Sequence, residues 1–365
     1  MNVPAPPGQG QERRRPTIND VARLSQVSKS TVSNVLRESE RVSPATRERV
    51  QAAIETLGYR PNVAARQLVG RRTQVIGVVV GDLANAFQTE LVRGIEAAAS
   101  ALGYMVVVCN TEGHPEREAA RIEALLGQRV DGIALLEFSG ERQVVSQLLG
   151  ERVPVMMVAC ASDYADSVAV DDDAGIALAI DHLVELGHRR IVYVDDPLIE
   201  RGTRQARLRA FEVTLLRHGL PATEDLVVSW DEGDIAAVER PLDTLLSRDP
   251  APTALMAADD SIAIRLMDFC EATGLSVPER VSVVGFDGIA IAGLARISLT
   301  TVVQPREEIT RRGIEMLVAR IEGAGEGRPE QHFLAPSLVA RGSTAPPPTS
   351  VVATGSRSRR SDGNR

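Results

Sequence analysis

The sequence predicts an α/β protein with a small all-α head and a larger body of two doubly wound parallel-sheet subdomains. Three observations lead to this fold class. The chain has 365 residues, which is more than one hydrophobic core usually holds. Residues 17–58 show the 3.6-residue period of short helices. From Val75 onward, apolar runs alternate with longer amphipathic stretches, a pattern typical of parallel strands covered by helices.

The head contains three predicted short helices, each with a start signal. Thr17 stands three residues before Asp20, as in a capping box. Ser28 can cap a second helix, and Ser43-Pro44 places a cap before a proline at the first helical position of a third. We expect Gly58 to end the third helix.

The first two helices have the spacing of a helix-turn-helix. A small residue, Ala22, is the fifth position counted from Ile18, and apolar residues occupy positions ten, fifteen and eighteen (Val27, Val32 and Val35). This spacing lets two helices cross near a right angle, with the second helix placed to enter the major groove of DNA. The turn needs a left-handed backbone, which Gln26 adopts at a cost of roughly 1 kcal/mol relative to Gly. An ordinary helical hairpin would share this spacing.

The body alternates strand and helix candidates. The predicted strands are 75–80, 104–109, 131–136, 153–158, 190–194, 225–229, 253–257 and 281–285. The predicted helices between them are 88–102, 115–126, 173–187, 203–219, 234–247 and 260–273. Eight strands over about 270 residues suggest two sheets, with a ligand bound between them at the carboxyl ends of the strands.

The net charge of −8 is unevenly distributed. Residues 1–72 carry a net charge of +7 and residues 343–365 carry +3, which leaves −18 for residues 73–342. A polyanion would therefore bind to the head, although a solvated basic arm would show the same charge.

Several protein classes are disfavoured. No apolar run approaches the roughly 18 residues of a membrane helix, and the N-terminus lacks the apolar stretch of a secretory signal. Cys109, Cys160 and Cys270 lie far apart without ligand spacing, so we expect a cytoplasmic protein with no metal and no cofactor. No nucleophile motif or dinucleotide fingerprint is present in a suitable context, so we do not expect an enzyme.

The run TINDVARLSQVSKSTVSNVLRESERVSPATRERVQAAIETLGYRPNVAARQLVGRRTQVIGVVV at 17–80 resembles the N-terminus of the LacI/GalR family of bacterial transcriptional regulators. Further similar segments are GHRRI at 187–191, RLRAF at 207–211, AADDSIA at 257–263, VPERVSVVGFDG at 277–288, LTTVVQP at 299–305 and LVARGST at 338–344. The resemblance covers about nine-tenths of the chain. It implies a helix-turn-helix head, a hinge helix and a periplasmic-binding-protein-like core.

The resemblance and the composition together predict the domain boundaries. We expect a disordered arm at 1–16, the helix-turn-helix domain at 17–60 and a hinge helix with linker at 61–72. The N-subdomain of the core would comprise 73–173 plus 304–326, and the C-subdomain 174–303 plus 327–342. A disordered tail would follow at 343–365.

The resemblance also implies the DNA-binding residues. Lys29, Ser30 and Asn34 match positions that read bases, and Lys and Asn suit guanine and adenine edges respectively. Thr17, Ser28, Thr31 and Ser33 match candidates for phosphate contacts, although simple helix capping would explain the same residue types.

Residues 62–69 match the family's hinge helix, which folds on operator DNA and pairs across a dimer axis. Leu68 holds the position of a leucine that wedges into the minor groove, and Asn62 and Ala65 belong to the same DNA-binding set. A plain interdomain linker is the alternative.

The resemblance to the family also implies the residues of an effector site. Matching positions are Phe87, Gln88, Asp171, Thr203, Arg207, Asp259 and Asp287. Trp230, the only Trp, could stack on a sugar ring or simply pack in the core. Three features depart from the family pattern: Gln88 replaces an aromatic residue, Ala159-Cys160 replaces Asp-Arg, and Asp259-Asp260 replaces Asn-Asp.

We therefore expect a homodimeric repressor that binds a palindromic DNA operator under allosteric control by a small effector, a sugar or sugar derivative. The alternatives are a solute-binding protein without a transcriptional role, and an activator or dual regulator. The absence of heptads in the tail favours a dimer over a tetramer.

Overall fold

A computed structural model describes residues 16–36, 42–59, 72–138, 142–150, 152–230, 235–323 and 327–348. The chain divides into two compact units, a head (Met1–Thr73) and a body (Gln74–Arg365).

The head consists of helices α1 (Ile18–Leu24), α2 (Lys29–Val35) and α3 (Pro44–Leu57). Their apolar faces meet in a small core of Val21, Val32, Val35, Val50, Ala53 and Tyr59. These are the faces that the 3.6-residue period predicts, so the three predicted helices are confirmed.

The caps of the head helices also agree with the sequence. The Asp20 carboxylate accepts from the backbone N–H of Thr17 at 2.9 Å and from its hydroxyl at 2.7 Å. The Ser28 hydroxyl accepts from the N–H of Thr31 at 3.0 Å. Gly58 follows α3 in the left-handed conformation, with φ of +61°, as the end signal predicts.

The body contains alternating strands and helices. In chain order they are β1 (Val75–Val80), α4 (Ala86–Ala101), β2 (Met105–Asn110), α5 (Pro115–Gly127), β3 (Gly132–Leu136), α6 (Arg142–Gly150), β4 (Val155–Val158), β5 (Asp166–Val170), α7 (Asp172–Leu186), β6 (Ile191–Asp195), α8 (Arg201–Arg217), β7 (Val227–Ser229), α9 (Ile235–Leu246), β8 (Ala254–Ala257), α10 (Asp260–Ala272), β9 (Ser282–Asp287), β10 (Thr300–Val303), α11 (Arg306–Glu322), β11 (Gln331–Leu334) and β12 (Ser337–Val339).

The strands form two six-stranded sheets. The first has the order β11-β5-β4-β3-β1-β2 and is parallel throughout. The second has the order β12-β10-β9-β8-β6-β7 and is parallel except for β12, which runs antiparallel to β10. In the first sheet Val78 lies opposite Val108 on one side and Ala134 on the other. We call the first sheet with its helices the first lobe, and the second sheet with its helices the second lobe.

Both lobes are doubly wound, which confirms the predicted fold class. The central strands are buried along almost their whole length, as in β3, β6 and β9. Helices cover them on both faces and complete the apolar clusters. α11 packs on α4 and on strands β3, β4 and β5, so this helix belongs to the first lobe.

Two predicted boundaries of the body need correction. β11 pairs with β5 in the first sheet, so assigning all of 327–342 to the second lobe is wrong for 331–334. Disorder from residue 343 is wrong for 343–348, because Ser343 donates to the Val283 carbonyl at 2.6 Å and accepts from the N–H of Thr300 at 2.8 Å. The arm before residue 16 and the tail beyond 348 lie outside the described residues.

The chain passes between the lobes at residue 171, at 304–305 and at 335–336. Three connecting segments side by side permit a hinge motion without breaking either sheet.

Candidate functional site

The turn of the helix-turn-helix lies between α1 and α2. Gln26 has a φ of +53°, so the turn takes the left-handed backbone that the spacing predicts. The N–H of Val27 bonds to the Ala22 carbonyl at 3.0 Å, which closes the turn. The two apolar residues of α2, Val32 and Val35, face the core of the head.

The N-terminal end of α2 is exposed. Ser28, Lys29 and Ser30 are exposed, whereas Thr31, Ser33 and Asn34 are half-buried. The Ser28 hydroxyl lies 2.7 Å from that of Ser30 and 2.8 Å from that of Thr31, so the polar side chains form one cluster at the start of the helix. Thr17 is half-buried and bonded to Asp20 at the start of α1. The hinge positions Asn62, Ala65 and Leu68 lie outside the described residues.

The body contains a cleft between its two lobes that encloses about 380 Å³. Its lining comes from the carboxyl ends of strands in both sheets, as expected for doubly wound folds. From the first lobe come Gly81 and Asp82 after β1, Glu112 after β2 and Glu137 after β3. From the second lobe come Asp196, Trp230, Asp259 and Asp287 at the ends of β6, β7, β8 and β9.

Arg207 reaches the cleft from α8. Its Nε donates to the Asp172 carboxylate at 2.7 Å, and Nη1 donates to the Ala258 carbonyl at 2.9 Å. The guanidinium carbon lies 3.9 Å from the centroid of the Phe286 ring. The carboxylates around Arg207 raise its pKa, so the side chain is a fixed positive charge.

Two predicted aspartates lie at the cleft with one oxygen already bonded. Asp259 caps α10 by accepting from the N–H of Ile262 at 2.8 Å. Asp287 accepts from the Gln304 amide at 2.7 Å. Burial raises the pKa of Asp259 to about 6 and raises that of Asp287 well above its ordinary value.

Gln88 is paired with a carboxylate that the sequence analysis did not identify. The Gln88 Oε1 accepts from the N–H of Asp82 at 2.7 Å, and Nε2 donates to Glu137 at 2.6 Å. Burial raises the pKa of Glu137 to about 7. Glu137 directly follows the buried strand β3, and this position at the carboxyl end of a parallel strand was the available signal.

The structure brings five predicted effector residues to the cleft and places three elsewhere. Gln88, Arg207, Trp230, Asp259 and Asp287 line the cleft. Phe87 is 1% exposed and packs in the core, because its side chain leaves α4 roughly 100° around the helix axis from that of Gln88. Asp171 caps α7 by accepting from the N–H of Ala174, and Thr203 is buried in the first turn of α8.

The departures at Ala159 and Cys160 do not affect the cleft wall. Both side chains are buried in the core clusters of the first lobe. Burial also raises the pKa of the Cys160 thiol strongly, so it carries no nucleophilic role.

The cleft is connected to the first lobe through Arg306, at the start of α11. Arg306 donates to the backbone carbonyls of Asp287 and Gly288, each at 2.7 Å. Its Nε lies 2.9 Å from the carboxylate of Glu90 on α4, and Glu90 also accepts from the N–H of Ala290 at 3.1 Å. A cleft residue of the second lobe is thus joined to a helix of the first by two contacts.

Two family models and several known proteins match this chain. The family of bacterial regulatory proteins named lacI matches residues 17–62, and the periplasmic binding protein-like domain matches 180–344. The chain is 34% identical over 335 residues to the ribose operon repressor of Escherichia coli (strain K12), covering 90% of this chain and 99% of that protein.

Solved structures show the same architecture. The lac repressor dimer bound to operator and the anti-inducer ONPF is 28% identical, with a TM-score of 0.79 over 91% of this chain and 100% of that chain. The transcriptional regulator CelR–cellobiose complex is 33% identical, with a TM-score of 0.65 over 90% of this chain and 100% of that chain.

Among the described residues no helix combines the length and the apolar character that crossing a membrane requires. The relatives that match along nearly their whole length are regulators that bind DNA. The chain therefore belongs to the LacI family of bacterial regulatory proteins, and it is a DNA-binding transcriptional regulator rather than an enzyme.

Proposed function

We propose that this regulator is a repressor that binds a palindromic operator as a homodimer, and that a small carbohydrate bound in the cleft controls its affinity for DNA. The observation that carries the proposal is the joint presence of an exposed polar helix start in the head and an enclosed polar cleft in the body. A repressor of this kind acts in the cytoplasm, where its operator is accessible.

The DNA-binding part of the proposal rests on α2. Its exposed N-terminal side chains include Lys29, the only lysine of the chain, and residues 1–72 carry a net charge of +7. Lys29 and Asn34 suit base edges, and the serine and threonine hydroxyls suit phosphates. Asn62, Ala65 and Leu68 are proposed as hinge contacts from the sequence match alone.

Lys29→Ala tests this assignment. We expect a loss of about 1–3 kcal/mol in binding to an operator selected from random duplexes, because a base contact disappears. Binding to unrelated duplex should weaken less. Arg49→Ala, which removes the same charge from an exposed position of α3, is the control and should affect both duplexes about equally. Fluorescence anisotropy at one fixed salt concentration measures both, and equal losses for Lys29→Ala would refute base reading by this residue.

The homodimer is supported by the edge of the first sheet. β2 is an edge strand, and Met105 is 61% exposed and Val108 36% exposed. An apolar edge strand is normally covered, and a two-fold axis lets the same strand of a second copy cover it. Two heads related by such an axis would match two operator half-sites.

The carbohydrate is supported by the chemistry of the cleft. Its volume of about 380 Å³ suits a small molecule, and its lining offers carboxylate, guanidinium and amide groups around an indole ring. Carboxylates and Arg207 can bond paired hydroxyls. The structure of the related regulator CelR is of its complex with cellobiose. A relative by sequence is named the ribose operon repressor.

Control of DNA binding by the effector requires that the cleft influence the geometry of the lobes. The contacts from Asp287 through Arg306 to Glu90 provide such a connection. A ligand that bonds Asp287 would favour one arrangement of the lobes over another, with a coupling free energy of about 1–3 kcal/mol.

A thermal-shift screen of the purified chain against sugars, sugar phosphates and nucleosides tests the proposal. A ligand at about 100 times its Kd adds roughly 2.7 kcal/mol to the free energy of unfolding, which gives a visible shift of Tm. Repeating operator binding with the ligand found then separates induction from corepression. A sugar that binds without changing operator affinity would contradict effector control. Higher expression of a reporter gene when the regulator occupies its operator would contradict repression.

A further inference from the structure

The cleft has far more acidic than basic groups. Among the described residues that line it, seven are Asp or Glu and two are Arg. An acidic surface is common on a body with a charge of −18, but here four of the described carboxylates are partly or largely removed from water, and Glu118 is one of them at 5% exposed. Asp259 is 7% exposed, Asp287 is 5% exposed, and Glu137 is partly buried beside them.

The nearest guanidinium is already engaged. Arg207 forms its ion pair with Asp172, which does not line the cleft, and a second bond with the Ala258 carbonyl. Among the described residues, Glu137, Asp259 and Asp287 form no ion pair within 4.0 Å. Burial raises the pKa of each of the three, and the charge of Arg207 lowers it without forming an ion pair. The charge of Asp259 further raises the pKa of Glu137 and of Asp287.

A metal ion does not explain this excess of negative charge. Within the described part of the chain, no group of three or more His, Cys, Asp or Glu side chains could hold a metal ion. An organic cation has different requirements, because an ammonium group donates up to three hydrogen bonds and does not need ligands at metal distances.

The first-lobe wall presents an acceptor to such a donor. Because Gln88 Oε1 accepts from the backbone of Asp82, its amide nitrogen is turned to Glu137. This contact occupies Oε2 of Glu137 and leaves Oε1 without a hydrogen bond from any described residue. Gln88 thereby fixes the orientation of a carboxylate at the first-lobe wall of the cleft.

A second, independent observation points to a bound molecule. Trp230 is 7% exposed and lines the cleft, and its buried indole N–H has no hydrogen-bond partner among the described residues. A buried donor without an acceptor destabilises the folded state, and a ligand oxygen would remove this cost. The ligand must therefore offer both a donor for carboxylates and an acceptor for Trp230.

We infer that the effector is an amine-bearing polyhydroxylated molecule, an amino sugar in its simplest form, with its ammonium group bound by Glu137, Asp259 and Asp287. Glu137 belongs to the first lobe and the two aspartates to the second, so the ammonium group bridges the lobes. Its ring and hydroxyl oxygens accept from Trp230 and from the remaining N–H groups of Arg207. The inference rests on the proposed function and narrows its effector to one charge class.

Isothermal titration calorimetry of the full chain with matched ligands tests the inference. For each of glucose, galactose and mannose the probes are the neutral sugar, its 2-amino derivative and its N-acetylated amine, with glucose 6-phosphate added. We expect at least one amine to bind ten times or more tighter than both neutral forms, and glucose 6-phosphate not to bind. N-acetylation keeps the substituent but removes the charge, so it separates charge from shape.

Glu137→Gln isolates the carboxylate. We expect it to reduce the preference for the amine over the neutral sugar to twofold or less. Glu123→Gln, at an exposed position of α5, is the matched control and should keep the full preference. If the variant does not fold, the comparison of ligands on the unmodified chain still decides the question.

The outcomes separate the inference from the proposed function. A neutral or phosphorylated sugar that binds as tightly as the matched amine would overturn the inference and leave the carbohydrate effector intact. An amine preference that survives Glu137→Gln would also overturn it. If no sugar of any charge binds, the carbohydrate effector and the inference both fail.

Discussion

At the scale of residues, burial raises the pKa of four described carboxylic acids at or next to the cleft. The pKa of Asp259 is raised to about 6, those of Glu137 and Asp260 to about 7, and that of Asp287 well above its ordinary value. Asp260 has a structural role, since it accepts from the Thr301 hydroxyl at 2.5 Å and from the N–H of Ile289 at 2.8 Å. The other three face the cavity.

These shifts make stability depend on pH. Between the unfolded pKa of about 4 and the folded values near 6–7, the folded state binds more protons than the unfolded chain. The free energy of unfolding therefore falls as pH rises through this window. Carboxylates that lower stability at neutral pH indicate that the site serves a ligand rather than the fold.

The variant Glu137→Gln tests this argument without a ligand. At pH 5 the folded protein holds Glu137 protonated, so we expect nearly equal stability of variant and parent. At pH 8 we expect the variant to be more stable, on the order of 1–3 kcal/mol, because a buried negative charge is gone. Urea denaturation at both pH values measures the difference. A variant that is less stable at pH 8 would mean that Glu137 is ionised and compensated in the folded protein.

At the scale of elements, the start of α11 links the two lobes. Arg306 bonds the backbone at the end of β9 and pairs with Glu90 on α4. Both side chains of the pair are 23% exposed, so the pair is partly shielded from water. We expect the Arg306–Glu90 ion pair to add little to the free energy of unfolding, and its main effect is to connect the cleft to α4.

Glu90→Gln should therefore change coupling rather than effector affinity. We expect the Kd of the effector to stay within twofold, while the ratio of operator affinities with and without effector shifts by an amount equivalent to about 0.5–2 kcal/mol. Glu96→Gln, exposed on the same helix, should change neither. Calorimetry and anisotropy together give both quantities, and an unchanged ratio would exclude this contact from the coupling.

The edge strand β2 provides a second element-scale prediction. The double variant Met105→Lys with Val108→Lys places charge on the apolar edge, and we expect it to be a folded monomer with much weaker operator binding. Leu149→Lys, on α6 and 40% exposed, is the control and should remain dimeric. Analytical ultracentrifugation decides, and a dimer that persists in the double variant would place the interface elsewhere.

At the scale of the whole molecule, the chain consists of two units that fold around separate cores. The head core contains six buried residues, and the body has its own clusters. A core of six residues is small for independent stability. The body contains every described residue that lines the cleft.

Deleting residues 1–73 should therefore abolish DNA binding and leave effector affinity within about twofold of the parent. Calorimetry with the ligand from the screen and anisotropy with the operator test both halves of this expectation. Loss of effector binding together with DNA binding, in a deletion variant that still unfolds cooperatively, would show that the head is part of the effector site.

Local sequence signals account for much of the fold. Each signal in the head acts within about four residues, so it can be predicted from the sequence. These signals are the caps at Thr17, Ser28 and Ser43, the left-handed turn at Gln26 and the helix end at Gly58. Buried strands followed by amphipathic helices can also be predicted, because the spacing of their apolar residues is a local pattern. The four strands that were not predicted are β5, β10, β11 and β12. Each begins with at least one polar residue, which shortens its apolar run.

The head, the doubly wound body and the family could be predicted from the chain alone. Periodicity, helix caps and motifs each depend on residues that are close together in the sequence. Which side chains form the cleft could not be predicted in this way, because it depends on the tertiary structure. Phe87 and Gln88 are neighbours in sequence, but the side chain of Phe87 packs in the core and that of Gln88 lines the cleft. Gln88 bonds to Glu137, which is 49 positions away in the sequence. Such pairings depend on strand order and on which face of a helix the core covers, and both are set by packing over the whole lobe.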